Sequence, residues 1–211
     1  MNGLSSTETA GEKNRCWGDG DPLMVAYHDN EWGVPVHDDR IHFEFLLLDN
    51  FQAGLSWRTI LHKRENFRVA FHDFDPERIA TYGDEDRNRL QSDEGIIRNK
   101  AKINAAITNA QAFLQIQEEI GSFDKYIWQF TDNRIIVNNT ARTWRDVPTR
   151  SAASDAVSAN LKQRGFKFVG TTICYAWMQS IGLVNDHIIP CFRATGEKES
   201  GAGEWYPEGA R

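Results

Sequence analysis

A mainly α fold is what this chain of 211 residues predicts. Three observations carry that expectation. Apolar residues recur at helical spacing through most of the middle of the chain. Asp, Ser, Pro and Gly stand at the ends of those stretches, where helices start and stop. Strand signals are few: "RIIVNN" (134–139) is the best of them, and it is short.

The elements follow in order. "DDRIHFEFLLLDNFQAGLSW" carries a dense apolar run behind an Asp pair that can cap its start. "SWRTILHKRENFRVAFHDF" sets Ile60, Leu61, Phe67, Val69 and Phe71 at helical spacings and stops before Asp75-Pro76. Pro76 suits the first position of a new short helix, where its missing N–H costs nothing. "GDEDRNRLQSDEG" reads as a short polar helix ending near Gly95. "RNKAKINAAITNAQAFLQIQEE" reads as a long helix with Ile103, Ile107, Ala110 and Leu114 on one face. "SAASDAVSANLKQRGF" opens on Ser caps and closes at Gly165, and "TTICYAWMQSIGL" is the last clear helix.

Composition bounds the function. The length suits one large domain or two small helical lobes over 14–193, with polar tails at 1–13 and 194–211 expected to be disordered and flexible. No apolar run reaches the roughly 20 residues of a membrane span, and the start lacks the apolar core of a signal peptide. Three cysteines, Cys16, Cys174 and Cys191, are a sparse, odd set that points to a reducing compartment, the cytoplasm. The net charge of −6 argues weakly against nucleic acid as a partner. Basic clusters at 58–68, 96–102 and 161–168 are local exceptions that also fit solvated helix faces. No nucleotide-binding loop, redox-cofactor motif or nucleophile elbow is present, so no nucleotide cofactor is expected.

Two features carry chemistry. Cys16 and His28 lie near the start, and His187 and Cys191, with three residues between them, lie near the end. Two imidazoles and two thiolates match a closed tetrahedral zinc site. The same residues also fit buried structural histidines and ordinary buried cysteines. The second feature is "EGIIRNKAKINAA", which reads as helix, Gly-containing turn, helix. Such a hairpin can aim turn N–H groups and a helix N-terminus at DNA phosphates, which demands little net positive charge. Helical hairpins are also common in domains that bind nothing.

Taken together, "AYHDNEWGVP", "QAGLSW", "KRENFRVAFHDFDP", "GIIRNKAKINAAITNA", "SDAVSANLKQRGFKFVGTTICY" and "GLVNDHIIPC" resemble the DNA-3-methyladenine glycosylase I family of bacterial alkylation-repair enzymes. The match runs in order from about Cys16 to Cys191. It implies a helix-hairpin-helix DNA glycosylase fold, with one structural Zn²⁺ held by Cys16, His28, His187 and Cys191 and tying the N- and C-terminal segments together. Cys174 stands outside that set. The implied substrate is alkylated double-stranded DNA. The implied reaction is hydrolysis of an N-glycosidic bond, with a single protomer leaving an abasic site.

The resemblance also implies site residues. The target base must leave the stack and enter a pocket, and a methylated adenine is a cation that suits aromatic walls. Tyr27 and Trp57 line that pocket, with Trp32 and Trp17 nearby; Tyr27 and Asp49 are the candidate catalytic groups. His28, next to Tyr27, holds the metal, which supports the pocket's aromatics and takes no part in bond breaking. Gly54 and Leu55 are candidates to approach the gap left in the duplex. Trp128, Trp144 and Trp177 are expected in the core.

The sequence departs from the family pattern at three positions. Asp49 stands where the family's pocket carries a Glu, so the carboxylate is one methylene shorter. Phe51 replaces a polar residue and Met24 an aromatic one. These changes bear on lesion range, and a same-fold glycosylase with altered range is the alternative. A non-catalytic damaged-DNA binding module, or a zinc-stabilised helical protein without a DNA role, belongs to another class. Neither an assisting Asp nor a Schiff-base Lys is expected after the hairpin, so the reaction should be monofunctional hydrolysis.

Overall fold

The computed structural model describes residues 13–138 and 140–194. The two expected tails lie outside the described residues, apart from Lys13 and Ala194. The described chain is mainly helical: α1 (Pro22–Asn30), α2 (Asp39–Gln52), α3 (Trp57–Leu61), α4 (Arg64–Ala70), α5 (Pro76–Ala80), α6 (Asp84–Ser92), α7 (Lys100–Ile120), α8 (Phe123–Trp128), a 3-10 turn (Gln129–Thr131), α9 (Ala152–Gln163) and α10 (Thr171–Ser180). Two short strands, β1 (Ile136–Val137) and β2 (Val184–Asn185), pair in parallel with Ile136 opposite Val184.

The core forms around α2. Every residue of α2 from His42 to Phe51 is buried. Helices α3, α7, α8 and α10 all pack against it. A helix covered all round reads as a continuous apolar run, which is what "FEFLLL" supplies. Phe43, Phe113 and Phe123 interlock beneath it, with Phe113 and Phe123 stacked at 4.0 Å between ring centroids. Each such ring removed from water contributes about 2–3 kcal/mol.

α7 buries Ile103, Ile107 and Ala110 as its periodicity requires, and Leu114 lies at the edge of that face, half-buried. Asn99 caps its start: the side-chain oxygen accepts from the Lys102 N–H at 3.1 Å. α9 carries the expected Ser cap, with Ser151 and Ser154 bonded reciprocally.

Three local expectations change. The segment 56–74 is two helices, because His62 and Lys63 break it between α3 and α4. Val69 points outward at 78 % exposure. α1 and α8 carry no strong periodic signal in sequence, yet both form. Asp21 caps α1, accepting from the Leu23 N–H at 3.1 Å, and Pro22 holds the first helical position. Ser122 caps α8.

The "WGVP" turn after α1 docks on the end of α10: the Gly33 N–H donates to the Gln179 carbonyl at 2.9 Å and the Val36 N–H to the Ile181 carbonyl at 3.0 Å. Gly182 sits against the Val34 carbonyl, with φ at +71°, where a Cβ would come within 2.2 Å of the Val34 carbonyl carbon. That contact joins the two ends of the chain beside the site.

Candidate active site and metal-binding group

A cavity of about 320 Å³ opens where α1, α2, α3 and α10 meet. Its walls are aromatic: Trp17, Tyr27, Trp32, Trp57 and Trp144. Asp49 of α2 and Ser180 of α10 supply polar groups. The size suits one nucleobase, a small concave site with few polar groups.

Tyr27 comes from α1, and Trp57 opens α3, whose start Ser56 caps by accepting from the Thr59 N–H at 3.2 Å. Their rings meet at 5.0 Å between centroids and 43°. Trp17 sits edge-on to Trp32 at 5.3 Å and 77°. These angles fit the edge-to-face preference of aromatic pairs and hold the walls rigid.

Three polar atoms at this site are buried without a hydrogen-bond partner: the Tyr27 hydroxyl, Asp49 Oδ2 and Trp57 Nε1. Buried polar atoms are ordinarily paired, and exceptions cluster where a ligand is received. Asp49 is 1 % exposed, and burial pushes its carboxyl well above the usual carboxylate range. Burial, together with the Asp49 charge, likewise raises the Tyr27 hydroxyl. No second carboxylate lines the cavity among the described residues. The arrangement can receive a flat, cationic ring and hydrogen-bond its edge; it holds no carboxylate pair of the kind used in acid–base glycoside hydrolysis.

Successive residues of a helix point about 100° apart. Tyr27 therefore faces the cavity while His28 turns to the other side of α1. There His28 joins Cys16, His187 and Cys191, whose ligand atoms all lie within 4.8 Å of one another. His28 Nε2 is 3.4 Å from both sulfurs. A tetrahedral zinc with bonds of about 2.0–2.3 Å has ligand-to-ligand edges of roughly 3.3–3.8 Å, and the two 3.4 Å edges from His28 fall in that range.

Both imidazoles use Nδ1 elsewhere, leaving Nε2 for a metal. His28 Nδ1 meets Asp29 Oδ1 at 2.8 Å, and His187 Nδ1 meets Asn185 Oδ1 at 2.8 Å. His187 Nε2 is buried and unpartnered. Arg15 clamps Asp29 with two bonds of 2.8 and 2.7 Å. Burial pushes the Asp29 carboxyl up, but the Arg15 and His28 bonds outweigh it and hold it at about 2. Burial lowers His187 to about 3, which keeps it neutral as a ligand must be. The two thiols lie close together, and the hydrogen bond from Cys16 favours the Cys191 thiolate, lowering its pKa below the ordinary thiol value. These four side chains could hold a metal ion. Trp32 packs edge-on against His187 at 4.4 Å, so the group braces a cavity wall.

The structure corrects two expectations. Trp128 and Trp177 are core residues, but Trp144 is 46 % exposed and lines the cavity. Phe51 faces Phe67 and Phe71 in the core, with no place in the cavity. Gly54 and Leu55, the candidates to approach the duplex gap, stand in an exposed turn between α2 and α3 rather than in the cavity wall. Cys174 is buried away from the metal group, as expected.

Gln179 and Ser180 were not singled out from sequence. A signal existed: Ala176, Gln179 and Ser180 share one face of α10 at i, i+3 and i+4. α6, the turn 93–99 and α7 form the helical hairpin read from "EGIIRNKAKINAA". Lys102, in the first turn of α7, is buried, and its ammonium is committed to the Phe51 and Ala53 carbonyls at 2.7 and 2.6 Å. It does not line the cavity.

The sequence profile of methyladenine glycosylases matches residues 17–194. The chain belongs to the methyladenine glycosylase family. Within that family it is 51 % identical over 185 residues to DNA-3-methyladenine glycosylase 1 of Escherichia coli (strain K12), covering 87 % of this chain and 98 % of that one. It is 44 % identical over 178 residues to a DNA-3-methyladenine glycosylase of Haemophilus influenzae, covering 84 % and 96 %. The fold is equally similar to solved family members. A crystal structure of a 3-methyladenine DNA glycosylase I superposes with a TM-score of 0.82 at 53 % identity over 85 % of this chain and 98 % of that one. The Staphylococcus aureus 3-methyladenine DNA glycosylase I, solved for the basis of its 3-methyladenine recognition, gives 0.82 at 33 % identity over 86 % and 96 %. The glycosylase scaffold therefore accounts for nearly all of the described residues.

Proposed function

We propose that this chain is a monofunctional DNA-3-methyladenine glycosylase I that releases 3-methyladenine from alkylated duplex DNA and leaves an abasic site. The observation that carries the reading is the aromatic cavity with Asp49 buried in it, its Oδ2 unpaired, beside the unpaired Tyr27 hydroxyl. Family membership and the similarity to named glycosylases support it.

The chemistry follows from the substrate. Methylation at N3 makes the base cationic, so the bond from the sugar C1′ to N9 is already weakened. The extruded base stacks among Tyr27, Trp57 and Trp32. A cation beside Asp49 favours its carboxylate form, opposing the upward push of burial. That carboxylate can accept from the exocyclic amine, directly or through a water that spans the missing methylene. Stacking a cation alone stabilises the ground state, because the departing base becomes neutral. Rate acceleration must then come from positioning and from stabilising the sugar cation. Neutral bases gain less on both counts.

The Cys16, His28, His187 and Cys191 group is read as a structural zinc site. All four positions are protein ligands, so the ion supplies stability and no open coordination position. The α6–α7 hairpin is read as a helix-hairpin-helix that aims the start of α7 at phosphates, and Gly54 and Leu55 as the turn that approaches the gap in the duplex. A single protomer, with no nucleotide cofactor, acting in the cytoplasm fits this reading; no helix among the described residues is long and apolar enough to cross a membrane.

The test is base release. Purified protein is incubated with methylated duplex, and the freed bases are identified by chromatography. Release of 3-methyladenine with little 7-methylguanine is expected; no release by folded, metal-loaded protein would reject the reading. Asp49 motivates one alternative, a shifted lesion range. In that case Asp49→Glu gains strongly on 3-methyladenine, whereas no gain means that the shorter acid already serves.

A further inference from the structure

The turn at 141–147 is not explained by the base pocket alone. Trp144 is 46 % exposed and also lines the cavity. Its ring lies 6.2 Å from Trp32, inclined at 51°. A single exposed indole is ordinary on a protein surface, so exposure by itself assigns nothing. Three other observations separate this turn from an ordinary loop.

The turn is held rigid. Asp146 Oδ2 accepts from the Arg142 N–H at 3.1 Å, the Thr143 N–H at 2.8 Å and the Thr143 hydroxyl at 3.0 Å. The Asp146 N–H donates back to the Thr143 carbonyl at 3.0 Å. The turn is also anchored to the site. The Ala141 carbonyl accepts from the Ile189 N–H at 2.9 Å, between His187 and Cys191 in sequence, and the Asn138 N–H donates to the Asn185 carbonyl at 3.0 Å. Finally, Arg142 and Arg145 flank Trp144, are exposed, and have no carboxylate partner among the described residues. Arg15, Arg64, Arg68, Arg150 and Arg164 are ion-paired. Arg78 and Arg134 also have no carboxylate partner among the described residues, but neither flanks a residue that lines the cavity, as Arg142 and Arg145 do.

Two unpaired guanidinium groups around an exposed indole, fixed at the mouth of a base-sized cavity, suit a ligand that is both anionic and stackable. Nucleic-acid strands have that chemistry: arginines neutralise phosphates, and an indole face stacks on a base or packs on a sugar. We infer that the 141–147 turn is a second DNA-contacting element, separate from the α6–α7 hairpin. Trp144 packs against the nucleotide entering the cavity, and Arg142 and Arg145 hold phosphates of that strand. The inference rests on the DNA glycosylase reading for its substrate.

The test uses the full chain and a duplex carrying a tetrahydrofuran abasic site, with affinity measured across a salt series. Trp144→Ala should weaken binding roughly tenfold at one salt concentration. Trp144→Phe should recover most of that loss, and neither change should lower the thermal midpoint. The double variant Arg142→Ala/Arg145→Ala should flatten the slope of log affinity against log salt by about 0.9 per arginine, and Lys at both positions should restore it. Binding of free 3-methyladenine by the double Ala variant should match wild type. Wild-type affinity and slope in both Ala variants would overturn the inference while leaving base release, and so the glycosylase reading, untouched. Slope and affinity losses as expected in a protein that releases no base would do the reverse. A wild-type protein that binds no duplex at low salt would overturn both.

Discussion

The Lys102 ammonium donates a 2.7 Å hydrogen bond to the main-chain carbonyl of Phe51. It spans from the first turn of α7 to the last turn of α2, and a second bond reaches the Ala53 carbonyl. The last carbonyls of a helix have no partner within the helix, and a cation there also meets the negative end of the helix dipole. Lys102 thus acts as a cap for α2 supplied by another helix. It links the hairpin to the turn that carries Gly54 and to the helix that carries Asp49.

Lys102→Met leaves those buried carbonyls unpaired. The expected loss is about 2–4 kcal/mol, read from the urea midpoint. Base release should fall even at temperatures where the variant stays folded, because the 53–56 turn loses its anchor. Full activity with unchanged stability would show that water replaces the ammonium at no cost.

Asp49 gives a pH dependence with a definite sign. Its folded-state pKa is raised by burial, so between the ordinary carboxylate value and that raised value the folded chain binds a proton that the unfolded chain has released. Stability contributed by the neutral acid is full below about pH 4 and declines as pH rises through that window. Asp49→Asn removes this decline, so unfolding midpoints of variant and wild type should diverge as pH rises toward neutrality, with the variant the more stable. Parallel curves from pH 4 to 7 would count against a buried neutral Asp49. The same variant should lose base release, since an amide cannot offer a charged acceptor to a cationic base.

Asp29 orients His28 through the 2.8 Å bond to Nδ1. Asp29→Asn should weaken zinc affinity about 10- to 100-fold in competition with a chromogenic chelator. Stripping the metal altogether should cost several kcal/mol, seen as a drop of roughly 10 °C or more in Tm. Because Trp32 packs on His187, tryptophan fluorescence should change with the metal. A Tm indifferent to chelation would reject a structural role for the ion.

Gly182→Ala places a methyl group against the Val34 carbonyl at a positive φ. The backbone strain and the overlap together should cost about 3 kcal/mol or more. Gly165→Ala, also at positive φ but with open space around it, should cost less. Equal losses in thermal melts would mean that contact with the "WGVP" turn is not what fixes Gly182.

These residues also show what the sequence makes legible. Helical spacing identifies α2, α7, α9 and α10, because their buried faces are continuous and their caps are Asp, Asn, Ser and Gly. α1 is not legible in that way. Tyr27 and His28 are both buried on different sides, one toward the cavity and one toward the metal group, so no single apolar stripe appears. The long read of 56–74 as one helix failed at His62 and Lys63, where nothing local forbids a helix. The metal group is legible as residue types, but its convergence depends on β2 and the 187–191 segment returning to α1. Trp144 was misplaced because a tryptophan is buried more often than not, whereas its loop is fixed by Asp146 and by the Ala141–Ile189 bond, which joins residues far apart in the chain.

The Cys/His group has a consequence for timing. Cys16 and His28 are synthesised before nearly all of the fold, and His187 and Cys191 only after it. Domains emerge from the ribosome N-terminal part first, so Tyr27, Trp32 and Trp57 are all made before the ligands that brace their wall. A chain that ends between Ser180 and His187 includes the sequence of α1 to α10 but only half of the clasp. The Cys/His group is therefore complete only after every helix that walls the cavity has been made.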